Sequence, residues 1–323
     1  MRVTRWAARA IICLFFVVPA RAAEPIHIAL LKFGTVNWEI DVVQHHKLDE
    51  KNGIRLEIMA LASTQATTVA LQAGSVDMIV TDWLWVSRQR GTGADFTMLP
   101  YSSALGAIMV APDSPIRSLA DLKGKRVGVA GGPLDKSWLM LRAYGRKTLG
   151  FDLEGAVEPA YGAPPLLAEK LAQGELDAVL NYWHFAARLE ARGFRRLIGM
   201  DEIVKALGGG GSLPMIGYTF SESWAAKNRT AVEGFRRAVT EARQIMASSD
   251  AEWERLAPLT QASDAETLRL LRQRYREGVP EAAAESTRDA QLVFGIVAEL
   301  GGVTLTGGQE ALAPGTFWEE GGG

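Results

Sequence analysis

The sequence predicts an α/β chain of two lobes sharing one topology, each a mainly parallel sheet flanked by helices, with a ligand cleft between the lobes. Three observations carry this reading. The segments LQAGSVDMIV at 71–80 and LAQGELDAVL at 171–180 repeat one pattern: a helix end, a Gly stop, an Asp and a buried strand. Upstream of each lie two further matching pieces in the same order. Finally, 323 residues at 48% apolar content are enough for two cores.

Residues 1–22 read as a signal peptide. Arg2, Arg5 and Arg9 precede the apolar run Ala10–Val18, and Ala20-Arg21-Ala22 forms a small-residue cleavage site. Such a run is too short to span a bilayer, so no direct membrane insertion is expected. HIALLKFG (27–34) and RVGVAGG (126–132) then read as first strands opening into Gly-containing loops. NGIRLEIMALAS (52–63) and LGFDLEGAVEPAYGA (149–163) read as second extended runs. Each repeat supplies a third strand that runs into a polar–aromatic triplet, Thr81-Asp82-Trp83 or Asn181-Tyr182-Trp183. Strands alternating with helices imply parallel pairing.

ALGAIMVAPDSP (104–115) and SLPMIGYTFS (212–221) are extended runs suited to crossing between lobes. This division expects lobe 1 at 23–111 plus 216–323 and lobe 2 at 112–215. The tail carries four amphipathic stretches with helical periodicity, expected to complete lobe 1.

Composition removes several function classes. With 35 Lys+Arg against 37 Asp+Glu and no basic stripe, a nucleic-acid partner is not expected. The single Cys13 lies in the leader, which excludes disulfide frameworks and thiolate metal sites. His45-His46 lacks ligand-type partners at helical spacing, so no metal site and no cofactor are expected. Gly208–Gly211 lacks the Lys-Ser/Thr of a phosphate loop, and no nucleophile-elbow or zinc-protease motif occurs, so no catalytic residues are assigned.

Ligands in open α/β sheets lie beyond the carboxyl ends of the strands. The lobe 1 rim should therefore present Asn37, Trp38, Thr64, Gln65, Asp82 and Trp83. Lobe 2 should present Asp135, Lys136, Ser137, Asn181, Tyr182 and Trp183, with Tyr101 as the floor. Trp83 and Trp183 occupy equivalent rim positions and would sandwich a flat or alkyl group. The helix starts after Ser63 and Gly132 suit an anion, with Lys136 adding charge. Asp82 would repel that anion and attract an amine, or else cap its helix. His184, next to Trp183, is a further candidate for the cleft.

SLADLKGKRVGVAGG (118–132) resembles the segment that opens the second lobe of type II periplasmic solute-binding proteins, and the repeat, leader and helical tail are similar to the same group. Within it the chain looks most like the sulfonate/nitrate/thiamine-precursor (SsuA/THI5-like) branch of ABC-transporter binding proteins. The resemblance implies the periplasmic binding protein type II fold, a monomer in the periplasm, and capture of a small organic solute (a sulfonate, amine or aromatic/heterocyclic compound) by lobe closure. It implies an ABC permease as partner and no enzyme activity; pyrimidine-synthase relatives use a Cys-rich motif absent here. A second reading is an accessory binding protein for a periplasmic partner such as a quinoprotein dehydrogenase.

Overall fold

The structure, a computed structural model, describes residues 24–32, 34–210, 213–279 and 283–319. The segment expected to be a signal peptide, with Cys13, and Gly211 of the glycine cluster lie outside the described residues.

The first half runs β1 (Glu24–Leu31), α1 (Val36–His45), α2 (Leu48–Lys51), β2 (Ile54–Leu61), α3 (Thr64–Gln72), β3 (Met78–Asp82), α4 (Trp83–Gly91) and β4 (Phe96–Ser102). The second runs β5 (Gly106–Val110), β6 (Arg126–Ala130), α5 (Lys136–Tyr144), α6 (Leu153–Ala156), β7 (Glu158–Gly162), α7 (Pro164–Ala172), β8 (Ala178–Tyr182), α8 (Trp183–Ala191), β9 (Arg195–Gly199) and α9 (Met200–Leu207). Then follow β10 (Ile216–Ser221), α10 (Glu222–Lys227), α11 (Arg229–Ser248), α12 (Asp250–Thr260), α13 (Ala265–Glu277) and α14 (Ala283–Thr306), the last broken at Gly302.

Two five-stranded sheets result, ordered β2-β1-β3-β10-β4 and β7-β6-β8-β5-β9. In each, the first three are parallel and the fourth is antiparallel to both neighbours. This is the two-lobed arrangement that the repeat predicts. The reason for its Gly and Asp is visible. Gly74 (φ +67°) and Gly174 (φ +74°) stop α3 and α7 in the left-handed region, where a Cβ clashes. Asp77 then accepts from the His27 backbone N–H at 2.8 Å, and Asp177 from that of Arg126 at 2.8 Å, tying each third strand to its first.

The lobe boundary differs from the expectation of 111/112. β5 pairs with β8 and β9, so the chain has crossed by Ser103–Leu105 and its apolar run belongs wholly to the second sheet. The return crossing falls between β9 and β10. The tail also divides differently. α11 packs against α1 and α2 in lobe 1, but α13 lies along α8, and α14 packs on α5 and α4. Val293, Phe294 and Val297 of α14 are fully buried in one apolar cluster with Trp138 and Leu139 of α5 and with Trp83 and Leu84 of α4. The last helices therefore clamp both lobes instead of completing one.

Candidate functional site

The carboxyl ends of β1 and β3 face those of β6 and β8, and side chains from the two rims meet. On one flank, the Lys136 ammonium lies 3.6 Å from the Asp82 carboxylate, both about a quarter exposed. The acid and the base expected on opposite rims are thus partners. Asp82 is also the N-cap of α4, accepting from the Trp85 N–H at 3.0 Å. Both readings of this residue hold together.

The anion pocket expected at the start of α5 is already filled. Asp135 accepts from the Ser137 and Trp138 N–H groups at 2.9 and 3.3 Å, and the Tyr182 hydroxyl donates to it at 3.5 Å. A carboxylate occupying the helix N-terminus takes the place an external anion would need. Burial raises the pKa of both Asp135 and Tyr182. Gly131, at φ +85°, makes room for them, since a Cβ there would lie 2.5 Å from the Tyr182 hydroxyl.

The Trp83–Trp183 sandwich is not the packing observed. Trp83 is fully buried among the apolar side chains of α14 and lobe 2. Trp183, half-buried, packs against the lobe 1 core instead, edge-on to Trp38 at 5.8 Å between centroids and 84° between planes. Each repeat Trp reaches across to the other lobe, but into a separate cluster. Trp38 in turn packs edge-on against Trp253.

Other predicted positions have internal partners. Asn37 donates to the carbonyls of Leu31 and Gly34 at 2.9 and 2.8 Å, holding the β1–α1 loop. Asn181 donates to the Pro164 carbonyl at 2.9 Å and accepts from the Tyr182 N–H. Tyr101 is buried against Tyr218, with the Arg243 guanidinium 5.8 Å from its ring centroid. Thr64 and Gln65 open α3 at the surface, beside the Ser63 cap. His46 bonds to Glu252 at 3.0 Å, a helix-packing role.

Two arrangements escaped the sequence reading. Glu39, with no exposed surface, accepts from Tyr218 (2.8 Å), Tyr275 (3.1 Å) and Arg243 (2.9 and 3.2 Å). Its signal was a Glu on the apolar face made by Val36, Ile40 and Val43. The second is Arg188, one helical turn after His184 on α8, which with Trp38, Asn37 and Thr35 lines a cavity of about 270 Å³ between the lobes. Spacing of i, i+4 on the helix after the rim was the available clue. A larger cavity, about 440 Å³, lies at the crossing beside Ser103–Gly106. Its Arg196 and Arg274 are neutralised by Asp201 and Glu190 at 3.2 and 2.5 Å.

A family model described as NMT1/THI5 like matches residues 50–252. The chain belongs to the NMT1/THI5-like family. Among curated proteins, it is 28% identical over 180 residues to the "Putative aliphatic sulfonates-binding protein" of Escherichia coli K12, covering 54% of this chain and 52% of that one. The chain spans about half the length of the curated relatives it matches. Among solved structures, it is similar to the periplasmic aliphatic sulphonate binding protein SsuA of Escherichia coli (TM-score 0.73, 20% identity, 92% of both chains). It is also similar to the alkanesulfonate-binding protein SsuA of Xanthomonas axonopodis pv. citri bound to MOPS (TM-score 0.68, 20% identity, 92% and 99%). The desulfurization enzyme DSZB shares the fold as well (TM-score 0.60, 16% identity, 90% and 94%). These likenesses show a two-lobed periplasmic-binding-protein fold for this family member, and a fold alone does not fix chemistry.

Proposed function

We propose that the chain is a solute-binding protein that captures a small organic molecule between its lobes and hands it to an ABC permease in the periplasm. The observation that carries the reading is the meeting of two strand-end rims by two side-chain pairs, Lys136 with Asp82 and Trp183 with Trp38, apart from the buried seam that Trp83 and α14 form between the lobes. An exposed ion pair and an aromatic edge contact are weak ties, each worth about 1 kcal/mol. Such rims open without unfolding either sheet, and a solute touching both favours closure by its differential contacts. The sulfonate-binding relatives support sulfonates as the first solute class to examine. Of the thirteen rim residues, Trp83 is core; the other twelve remain the positions from which we expect contacts, with Asn37 and Asn181 acting through the backbone they hold. Micromolar affinity, about 8 kcal/mol, suffices for capture and release.

Native mass spectrometry of the purified protein, followed by thermal-shift screening of sulfonates, amines, carboxylates and heterocycles, tests the proposal. One class should raise Tm by several degrees, since a ligand at 100 times its Kd adds about 2.7 kcal/mol. Recovery of the same compound unaltered after denaturation supports binding. Recovery of a converted compound moves the protein to the enzymes of this fold.

A further inference from the structure

We infer that the cavity between α1 and α8 is a binding site for a small oxyanion, with the Arg188 guanidinium as its principal donor. The first observation is charge. Arg188 is in the lining, and no Asp or Glu is. The adjoining cavity that Arg188 also borders contains Glu169, but that carboxylate is paired with Arg192 at 2.7 Å.

The second observation is an unsatisfied cation. Arg188 Nη2 donates to the Thr260 carbonyl at 2.8 Å, while Nη1 is buried with no partner, and Arg188 forms no ion pair among the described residues. A partly buried guanidinium with one nitrogen shut off from water and no counter-ion is unfavourable, and burial lowers its pKa below the usual arginine value. Arg243, the other cation buried near α1, shows the usual solution, a carboxylate at 2.9 Å. Arg188 has the same need and no internal answer. Its planar fork matches an oxyanion in geometry as well as charge.

The neighbours fit an anion. His184 Nδ1 is likewise buried and unpartnered. Burial, with Arg188 nearby, lowers the His184 pKa to about 3, so the ring is neutral at pH 7 and offers one N–H donor. The first N–H groups of α1 are taken up within the chain, that of Asn37 by the Gly34 carbonyl at 3.2 Å and that of Trp38 by the Thr35 carbonyl at 3.1 Å, so the donors left to an anion are the side chains of Arg188 and His184. About 270 Å³ is the share of liquid volume of about nine waters, room for an oxyanion with a short organic tail.

The inference rests on the solute-binding reading and deepens it by naming the head-group chemistry and its donor, and it can fail by itself: a neutral solute found by the thermal-shift screen would keep that reading and overturn this one. Titration calorimetry at fixed ionic strength, using sulfate, methanesulfonate, butanesulfonate and the neutral dimethyl sulfone, is the experiment. The anions should bind and the sulfone should not, with at least about a tenfold loss of affinity in Arg188→Gln and partial retention in Arg188→Lys. Tighter binding of butanesulfonate than of sulfate assigns the head group of an organic molecule; the reverse order assigns the free ion. Thr35→Asp guards against misfolding of the Arg188 variants. It sets a carboxylate in the lining beside Arg188 and should weaken anion binding at least about tenfold, with a cooperative melt showing that the fold is kept. Absence of anion binding to the wild-type protein overturns the inference, as does unchanged affinity in both Arg188→Gln and Thr35→Asp.

Discussion

Positions 83 and 183 open equivalent helices in the two repeats, and the flanks they head have diverged. On the α4 side, Trp83 has become core, sealed by α14, and the helix starts of α4 and α5 are capped by Asp82 and Asp135. On the α8 side, Trp183 stays half-buried against Trp38, neither α1 nor α8 has a side-chain cap, and Arg188 faces no acid. One flank has answered its charges internally and spends its aromatic ring on stability. The other leaves donors unanswered, and that is where a ligand has something to gain. A repeat fixes where a rim residue sits; the segments packed over it decide whether it can still bind.

The sharpest way to break this contrast is to truncate both indoles. Trp83→Ala should cost about 3–5 kcal/mol in urea unfolding, the range for emptying an aromatic core site. Trp183→Ala should cost less than half as much while weakening solute binding. Equal losses of stability would erase the distinction. Next in size are the two buried arginines. Glu39→Gln strands Arg243 in the core and should cost about 3 kcal/mol, whereas Arg188→Met, which removes a cation already without a counter-ion, should leave Tm unchanged or higher.

A pH series probes the same flank. His184 on α8 occupies the place that Leu84 holds on α4. Its folded pKa, about 3, lies below the ordinary value of about 6.5, so the unfolded chain takes up the proton first. Its contribution is therefore intact above pH 6.5 and is lost as pH falls from there toward 3, about 2 kcal/mol by pH 5. His184→Leu should flatten that slope, read as Tm against pH. The smallest effect belongs to the latch. A double-mutant cycle on Asp82→Asn and Lys136→Met should give a coupling under about 1 kcal/mol, because both groups meet water and Asn still caps α4.

Much of the architecture was legible because its signals are local. The 100-residue offset from α3–β3–α4 to α7–β8–α8 follows from two Gly stops and two Asp ties that the backbone requires. The boundary at 103–105 was not legible, since an apolar run such as Gly106–Val110 pairs equally well in either sheet until β8 and β9 are in place. The same holds for α14, whose apolar stripe suits any core. For the rim, sequence brought together the right loops but not the pairings across the cleft. Asp82 and Lys136 were read as competing charges because nothing local says that they touch. Arg188 was passed over because its interest lies in a missing partner, and an absence becomes visible only when everything around a side chain has been placed.

Lobe motion is the central claim, and a pair of spin labels reads it directly. Val69 on α3 and Leu166 on α7 are 56% and 53% exposed, one in each lobe, and the chain has no Cys besides Cys13. In Val69→Cys/Leu166→Cys, pulsed electron-spin measurements should give a broad or two-peaked distance distribution without solute. Saturation with the solute found by screening should collapse it to the shorter distance. A single distribution, unchanged while that solute is bound, would contradict closure and with it the account of the cleft.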